Sequence, residues 1–84
     1  MNRGTNYAIS PTEAVILQEL LNGFSNKKIA EKLFCSPYTV KFHLQNLYYK
    51  THTHTRIELC MKILYEIFGQ RLTADLILDK FGKN

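Results

Sequence analysis

Several residue types are scarce in this chain of 84 residues, which contains no tryptophan and only two each of proline, cysteine and methionine. Its apolar residues never form a run approaching the roughly 18 residues of a membrane span, so no membrane partner is expected. Residues 1–10 contain one arginine and no apolar core, so they are not predicted to be a signal peptide. Cys35 and Cys60 lie far apart without a CxxC spacing, which predicts two reduced thiols in a cytoplasmic protein.

The sequence motifs of catalysis are also missing. The chain has no nucleophile motif, no glycine-rich phosphate loop and no pair of acids on one helix face, so it is not expected to be an enzyme. The residues that could bind zinc do not follow a common zinc spacing, so no metal, cofactor or small-molecule ligand is expected. These residues are His43, His52, His54, Cys35 and Cys60.

Positive charge is concentrated in the middle of the chain. The formal net charge is +4, and residues 27–50 hold five lysines against one glutamate, which equals the whole excess. Such clustering is expected of a phosphate-binding surface, but a solvated helix face shows it as well. Charge alone therefore leaves both interpretations open. The five lysines are Lys27, Lys28, Lys32, Lys41 and Lys50.

Helix-capping residues divide the chain, and no segment shows strand alternation, so the predicted fold class is all-α. Ser10 and Thr55 each open a capping box with glutamate three positions later, and Ser25 and Ser36 are further N-cap residues. Four helices follow these caps, and a short fifth helix is predicted from Thr73 to about Phe81. The first four are expected to end near Asn22-Gly23, near Leu33, near Lys50 and at Phe68 before Gly69.

Two short helices joined by a tight turn predict a helix-turn-helix arrangement, and here they lie in the lysine-rich residues 27–50, which we call the basic stretch. A chain of this length supports one hydrophobic core and one domain. We therefore expect an N-terminal tail at residues 1–8, a helix-turn-helix domain at residues 9–68 and a C-terminal extension at residues 69–84. In such a domain the second helix of the pair enters the DNA major groove, and here that helix runs from Ser36 to Lys50.

This third helix has two distinct faces. At 100° per residue, Val40, Leu44 and Leu47 fall within one arc and are predicted to face the core. In the first helix, the corresponding stripe is predicted to be Ala14, Leu17, Leu20 and Leu21. The opposite side of the third helix carries exposed aromatic rings, and such a patch on a basic helix indicates a DNA or protein partner. Its members are Tyr38, Phe42, Gln45 and Tyr49, with Lys41 and Asn46 on the flanks.

The second helix begins with charges of an unfavourable sign. Lys27 and Lys28 lie in its first turn, where positive charge opposes the helix dipole and costs a few tenths of a kcal/mol each. The same arrangement of unpaired amides and two ammonium groups is suited to bind a phosphate. We therefore predict an anion site at this helix N-terminus.

Four blocks of residues resemble the LuxR/GerE-type helix-turn-helix domain over residues 9–65. Both residue types and spacings agree across the middle of this range, which makes the resemblance specific. The blocks are Ile9-Ser10-Pro11-x-Glu13, Gly23-x-Ser25-Asn26-Lys27-x-Ile29-Ala30-x-x-Leu33, Ser36-x-x-Thr39-Val40-Lys41-x-His43-Leu44-x-Asn46-Leu47-x-x-Lys50 and Arg56-x-Glu58.

The resemblance implies a bacterial transcription regulator that binds double-stranded DNA as a homodimer, with the fourth helix supplying the dimer contact. By position, Lys41, Phe42 and Gln45 would face base edges, with Phe42 against a thymine methyl group. His43 would pack beside the core. The residues implied to contact phosphates are Ser25, Asn26, Lys27, Thr39 and Lys50.

Two features depart from the simplest form of this interpretation. Thr51-His52-Thr53 stands where the family commonly has Leu-Gly-Val, which is expected to weaken an apolar anchor between the third and fourth helices. The alternative function is an adaptor or antagonist that binds another regulator instead of DNA. The absence of a recognisable receiver or ligand-binding domain is compatible with it, and equally with an excised effector domain or a stand-alone regulator controlled by its abundance. The lysines expected to contact phosphates favour DNA.

The fourth helix carries two apolar stripes, of which one is predicted to face the core and the other a second copy of the chain. The predicted core stripe contains Ile57, Met61, Leu64 and Phe68. The terminal segment with Leu76, Ile77 and Phe81 is expected to enlarge the contact with the second copy. In the alternative, this segment covers the second stripe within one chain. The predicted dimer interface consists of Leu59 and Ile63, with Ile67 bridging the two stripes.

Overall fold

The computed structural model of the chain describes residues 8–70 and 73–82, and this part of the chain forms helices without strands. The predicted all-α fold and the short fifth helix are confirmed. Residues 1–7 of the predicted tail and residues 71, 72, 83 and 84 of the predicted extension lie outside the described residues. The helices are α1 (Pro11–Leu21), α2 (Asn26–Leu33), α3 (Pro37–Thr51), α4 (Arg56–Phe68) and α5 (Ala74–Phe81).

Side-chain caps begin every helix, as the sequence predicts for the first four. At α1 the capping box is complete, because the Glu13 amide donates to Ser10 Oγ at 3.1 Å and the Ser10 amide donates to Glu13 Oε1 at 3.0 Å. The predicted box at Thr55 is only half formed. Thr55 Oγ1 accepts from the Glu58 amide, but the Glu58 carboxylate accepts from the amide of His54, one residue before the cap.

The core lies between α1, α2 and α3, with α4 contributing from one side. The predicted inner face of α3 is confirmed, because Val40, Leu44 and Leu47 are all buried. The predicted stripe of α1 is partly wrong, since Ala14 is exposed and Ile16 is buried. The buried apolar residues of the described chain are Ile16, Leu17, Leu20, Ile29, Ala30, Val40, Leu44, Leu47, Leu59 and Ile63.

Between α3 and α4, hydrogen-bonded threonine side chains take the place of the apolar contact that is common in the family. Thr51 and Thr53 are both buried, and their hydroxyl groups share a hydrogen bond of 2.9 Å. The Thr51 hydroxyl also lies 2.8 Å from the carbonyl oxygen of Leu47, to which it donates. His52 between them adopts the left-handed conformation, with φ of 57°, that allows the chain to leave the helix. Burial of these hydroxyls is therefore compensated by hydrogen bonds.

The predicted orientation of α4 about its axis is wrong. Leu59 is fully buried and Ile63 nearly so, whereas Ile57, from the stripe predicted to face the core, is 73% exposed. Leu59 and Ile63 therefore belong to the core of the single chain and are not available as dimer contacts. Ile67, the third predicted contact, is exposed.

Polar contacts at the start of α4 explain this orientation. The Arg56 guanidinium donates to Asn26 Oδ1 at 2.8 Å and also to the carbonyl oxygen of Phe24. These bonds hold the first turn of α4 against the start of α2, while the threonine connector holds its entry from α3. Leu59 and Ile63 consequently face the core. The opposite side of α4 presents an outer stripe of Ile57, Met61, Leu64 and Phe68.

Helix α5 begins at the N-cap Thr73, whose hydroxyl accepts from the amide of Leu76. None of its residues is buried. The alternative in which the terminal segment covers Leu59 and Ile63 is therefore wrong, because the core cluster that contains them includes no residue of α5.

A matched pair of substitutions tests the orientation of α4. We expect Leu59→Ala to lower the free energy of unfolding by about 2–5 kcal/mol, because it leaves a cavity in the core. Ile57→Ala, on the exposed side of the same helix, should change it by no more than about 0.5 kcal/mol. The measurement is urea denaturation at a protein concentration low enough to avoid self-association. Equal losses for the two variants would contradict the orientation described here.

Candidate nucleic-acid interface

The turn between α2 and α3 sets the direction of α3. Phe34 ends α2 in the left-handed conformation, with φ of 57°, and the Cys35 amide donates to the carbonyl oxygen of Ala30 at 3.0 Å. Ser36 then caps α3, accepting from the Thr39 amide at 3.2 Å. Only Phe34, Cys35 and Ser36 separate the two helices, which is the compact turn expected of a helix-turn-helix pair.

The side of α3 opposite the core is a row of exposed side chains, as the sequence predicts. Tyr38 and Tyr49 lie near its two ends, and Phe42, which is 62% exposed, lies between them. Lys41 and Gln45 are exposed on the same helix. His43 is half-buried and meets the Phe42 ring edge-on, with 5.5 Å between centroids. We call the side formed by Tyr38, Lys41, Phe42, Gln45 and Tyr49 the outer face of α3.

The start of α2 forms a second polar surface. Ser25 Oγ accepts from the Lys28 amide at 3.2 Å, and the side chain of Lys27 is exposed. Asn26 Oδ1 accepts from Arg56, so the amide nitrogen of this side chain remains as the donor that a phosphate needs. We call Ser25, Asn26 and Lys27, for which the sequence predicts anion binding, the α2 anion site.

The lysines of the basic stretch divide into paired and unpaired groups. The Lys28 Nζ atom lies 3.8 Å from Glu31 Oε1, and the Lys50 Nζ atom lies 2.6 Å from Glu13 Oε1. Lys32 lies 3.3 Å from Glu19 Oε1, which the described residues otherwise leave without a hydrogen-bond donor, so this contact is electrostatic. Within the described part of the chain, Lys27 and Lys41 make no ion pair. One belongs to the α2 anion site and the other to the outer face of α3.

Glu13 and Lys50 form an ion pair between the start of α1 and the end of α3. The Lys50 ammonium group also donates to the carbonyl oxygen of Ala8 at 2.8 Å. Burial by itself raises the pKa of the Glu13 carboxyl group. The hydrogen bonds and charge supplied by Lys50 and Ser10 outweigh burial, so the pKa lies below its ordinary value of 4.5. Lys50 thus has an intramolecular partner that the sequence interpretation did not predict, and its phosphate contact stays a prediction.

Two structural roles near the site were missed at the sequence level. Arg56 belongs to the motif shared with the LuxR-type domain, but its bond to Asn26, which orients the α2 anion site, was not predicted. Glu13 was assigned only to a helix cap. The available signal was the presence of two acidic residues in α1, Glu13 and Glu19, both of which the structure buries beside lysines.

The candidate metal ligands and the two cysteines are not brought together in the described part of the chain. His, Cys, Asp and Glu residues do not cluster there in groups that could hold a metal ion. Cys35 and Cys60 are half-buried and form no disulfide, and burial raises the pKa of the Cys60 thiol. Among the described helices, none is long and apolar enough to cross a bilayer.

The compact turn, the buried inner side of α3 and the exposed outer face define a helix-turn-helix domain. A family model described as bacterial regulatory proteins, luxR family, matches residues 8–63, more than half of the chain. The chain therefore belongs to the luxR family of bacterial regulatory proteins.

Similar proteins are longer than this chain. The Fimbriae Z protein of Escherichia coli K12 is 43% identical over 58 residues, which cover 69% of this chain and 28% of that protein. A nitrate/nitrite response regulator protein homolog of Haemophilus influenzae is 40% identical over 50 residues, 60% of this chain and 24% of that protein. A transcriptional regulatory protein of Bacillus subtilis is 37% identical over 65 residues, 76% of this chain and 30% of that protein. The chain thus spans less than a third of these relatives.

The Glu13–Lys50 pair predicts a pH-dependent stability. The pKa of Glu13 in the folded protein lies below 4.5. The ionised carboxylate therefore contributes to the free energy of unfolding above pH 4.5, and this contribution is lost as the pH falls through the lowered pKa. The difference in unfolding free energy between wild type and Glu13→Gln should therefore be largest near about pH 7 and shrink below about pH 4. Chemical denaturation across this range measures it. Glu31→Gln, which removes the more exposed pair with Lys28, is the control and should show little such dependence.

Proposed function

We propose that this chain binds double-stranded DNA sequence-specifically as the DNA-binding domain of a bacterial transcription regulator, with α3 in the major groove. The observation that carries this proposal is the position of Lys27 and Lys41. Acidic side chains approach the other three lysines of the basic stretch, whereas these two remain on the α2 anion site and the outer face of α3. Unpaired cations on one helix-turn-helix unit are suited to phosphates and base edges.

The outer face of α3 supplies the chemistry for reading bases. Gln45 has an amide that can bond adenine in two places, and Lys41 can donate to guanine O6 and N7. Phe42 offers an apolar surface to a thymine methyl group. All three side chains are exposed on a helix whose other side is buried, so insertion into the groove needs no change in the core.

The α2 anion site and the cap of α3 supply the proposed phosphate contacts. The Ser25 hydroxyl, the Asn26 amide and the Lys27 ammonium group lie at the start of α2, where helix amides and dipole favour an anion. Thr39 is exposed in the first turn of α3 and shares a hydrogen bond of 3.3 Å with the hydroxyl of Ser36. We expect Lys50 to contribute less than Lys27, because Glu13 already neutralises its charge.

The proposed active form is a homodimer on paired half-sites. The outer stripe of α4 replaces Leu59 and Ile63 as the proposed contact, and Ile67 lies beside it. A two-fold interface of this kind would place two α3 helices about one DNA turn apart, as a palindromic operator requires. We assign the domain to residues 9–68 and treat residues 69–84 as an extension. Binding to a bacterial chromosome would place the protein in the cytoplasm.

The first test separates phosphate contacts from internal pairing. Each ammonium–phosphate contact contributes about 0.9 to the slope of log K against log salt concentration. Lys27→Ala should therefore flatten this slope by about one unit and weaken binding to all sequences. Lys50→Ala should flatten it less and lower the stability of the fold. Fluorescence anisotropy with a duplex selected from random sequences measures both. Absence of salt-dependent binding by the wild-type chain would favour the adaptor function instead.

The second test concerns the reading of bases by Phe42. Because its ring is exposed, Phe42→Ala should leave the melting temperature within about 2 °C of wild type. Its affinity for the selected site should fall by about tenfold. Replacing a contacted thymine by uracil removes only the methyl group, so it should weaken wild type but leave Phe42→Ala unchanged. A variant that remains as sensitive to uracil as wild type would contradict this contact.

A further inference from the structure

Helix α5 is a short helix with little tertiary support from the described part of its own chain. It contains eight residues, and none of them is buried. Its own sequence favours helix locally, since Thr73 caps it and Asp75 and Lys80 complement the dipole at its two ends. Isolated helices shorter than about 12 residues are nevertheless marginal in water, because nucleation is costly and most helix stability comes from packing. A surface that covers α5 would therefore stabilise it.

The apolar side of α5 is continuous and exposed. Ala74, Ile77, Leu78 and Phe81 fall within about 100° of arc on this helix. Ile77 is half exposed, and Leu78 and Phe81 are more exposed still. An apolar stripe of this size on a helix without a buried residue indicates an interaction surface.

The outer stripe of α4 is too small to hold two chains together by itself. Its four residues span about 60° of arc, and one of them, Leu64, is half-buried. Together they supply roughly half of the ~800 Å² that each partner buries in a typical stable interface. Adding the apolar side of α5 brings the available area to about the required size.

We propose that α5 of one chain packs on the outer stripe of α4 of a second copy, so that α4 and α5 together form the two-fold interface. The inference rests on the homodimer proposed above and specifies what completes it. The family match ends at residue 63, so α5 lies beyond the part of the chain shared with the luxR family.

The first experiment compares four glutamine variants of the full chain by sedimentation equilibrium. Ile77→Gln and Phe81→Gln each remove an apolar contact twice per dimer, and each should raise the dimer dissociation constant at least about tenfold. Met61→Gln should raise it as well. Lys80→Gln, on the polar side of α5, is the matched control; it removes only a charge near the helix C-terminus and should change the dissociation constant by less than about threefold. Circular dichroism of each variant confirms that α1 to α4 remain folded.

The outcomes distinguish failure of this inference from failure of the proposed function. If Met61→Gln weakens the dimer but Ile77→Gln and Phe81→Gln do not, the α4 homodimer stands and the role of α5 is refuted. A wild-type chain that remains monomeric at high concentration and on DNA refutes both the homodimer and the inference, while DNA binding by α3 would stand.

A second experiment separates a second copy from the chain's own body as the cover of α5. Hydrogen exchange of the α5 backbone amides is measured in wild type above and below the dimer dissociation constant. Protection that rises with dimer formation supports the inference. Protection that is the same at both concentrations means that α5 is covered within its own chain, and absence of protection at either means that nothing covers it. Both of these results overturn the inference.

Discussion

Burial of one side of α3 is the constraint on which the rest of the structure depends. Val40, Leu44 and Leu47 enter a core that α1 and α2 line with apolar side chains, and a helix with a single apolar stripe has only one favourable orientation in such a core. The opposite side of α3 must therefore face outward. Its exposed rings, lysine and glutamine follow from this geometry, although each is unfavourable or neutral for folding. The core positions the surface that the proposed function uses.

The distribution of charge connects stability with recognition. A carboxylate taken out of water is costly unless a cation compensates it, and α1 places two such groups, Glu13 and Glu19, near the basic stretch. They attract Lys50 and Lys32. Part of the positive charge that the sequence suggests for DNA binding therefore stabilises the fold. Lys27 and Lys41 are beyond reach of these acids. The surface available for DNA is consequently narrower than the basic stretch itself.

The orientation of α4 links the same fold to assembly. Both sides of this helix are apolar enough to be buried, and only one can face the core of a single chain. Once Leu59 and Ile63 occupy the core, the other stripe remains at the surface, and the terminal helix also exposes its apolar side. One arrangement that removes both surfaces from water is a pair of chains. The hydrophobic effect that builds the domain would then also determine its oligomeric state.

Helix boundaries and the two faces of α3 were predictable from the sequence. Helix caps act over three or four residues, and a helix with one apolar stripe can turn only that side toward the core. The helix-turn-helix class and the outward position of Phe42 followed directly. The orientation of α4 about its own axis was not predictable, because two apolar stripes fit the helical periodicity equally well. Its choice depends on Arg56 meeting Phe24 and Asn26 across some thirty positions of sequence, and on two buried threonine hydroxyls. The partner of Lys50 likewise lies 37 residues away in Glu13. Such contacts depend on how the helices pack, so only the tertiary structure decided them.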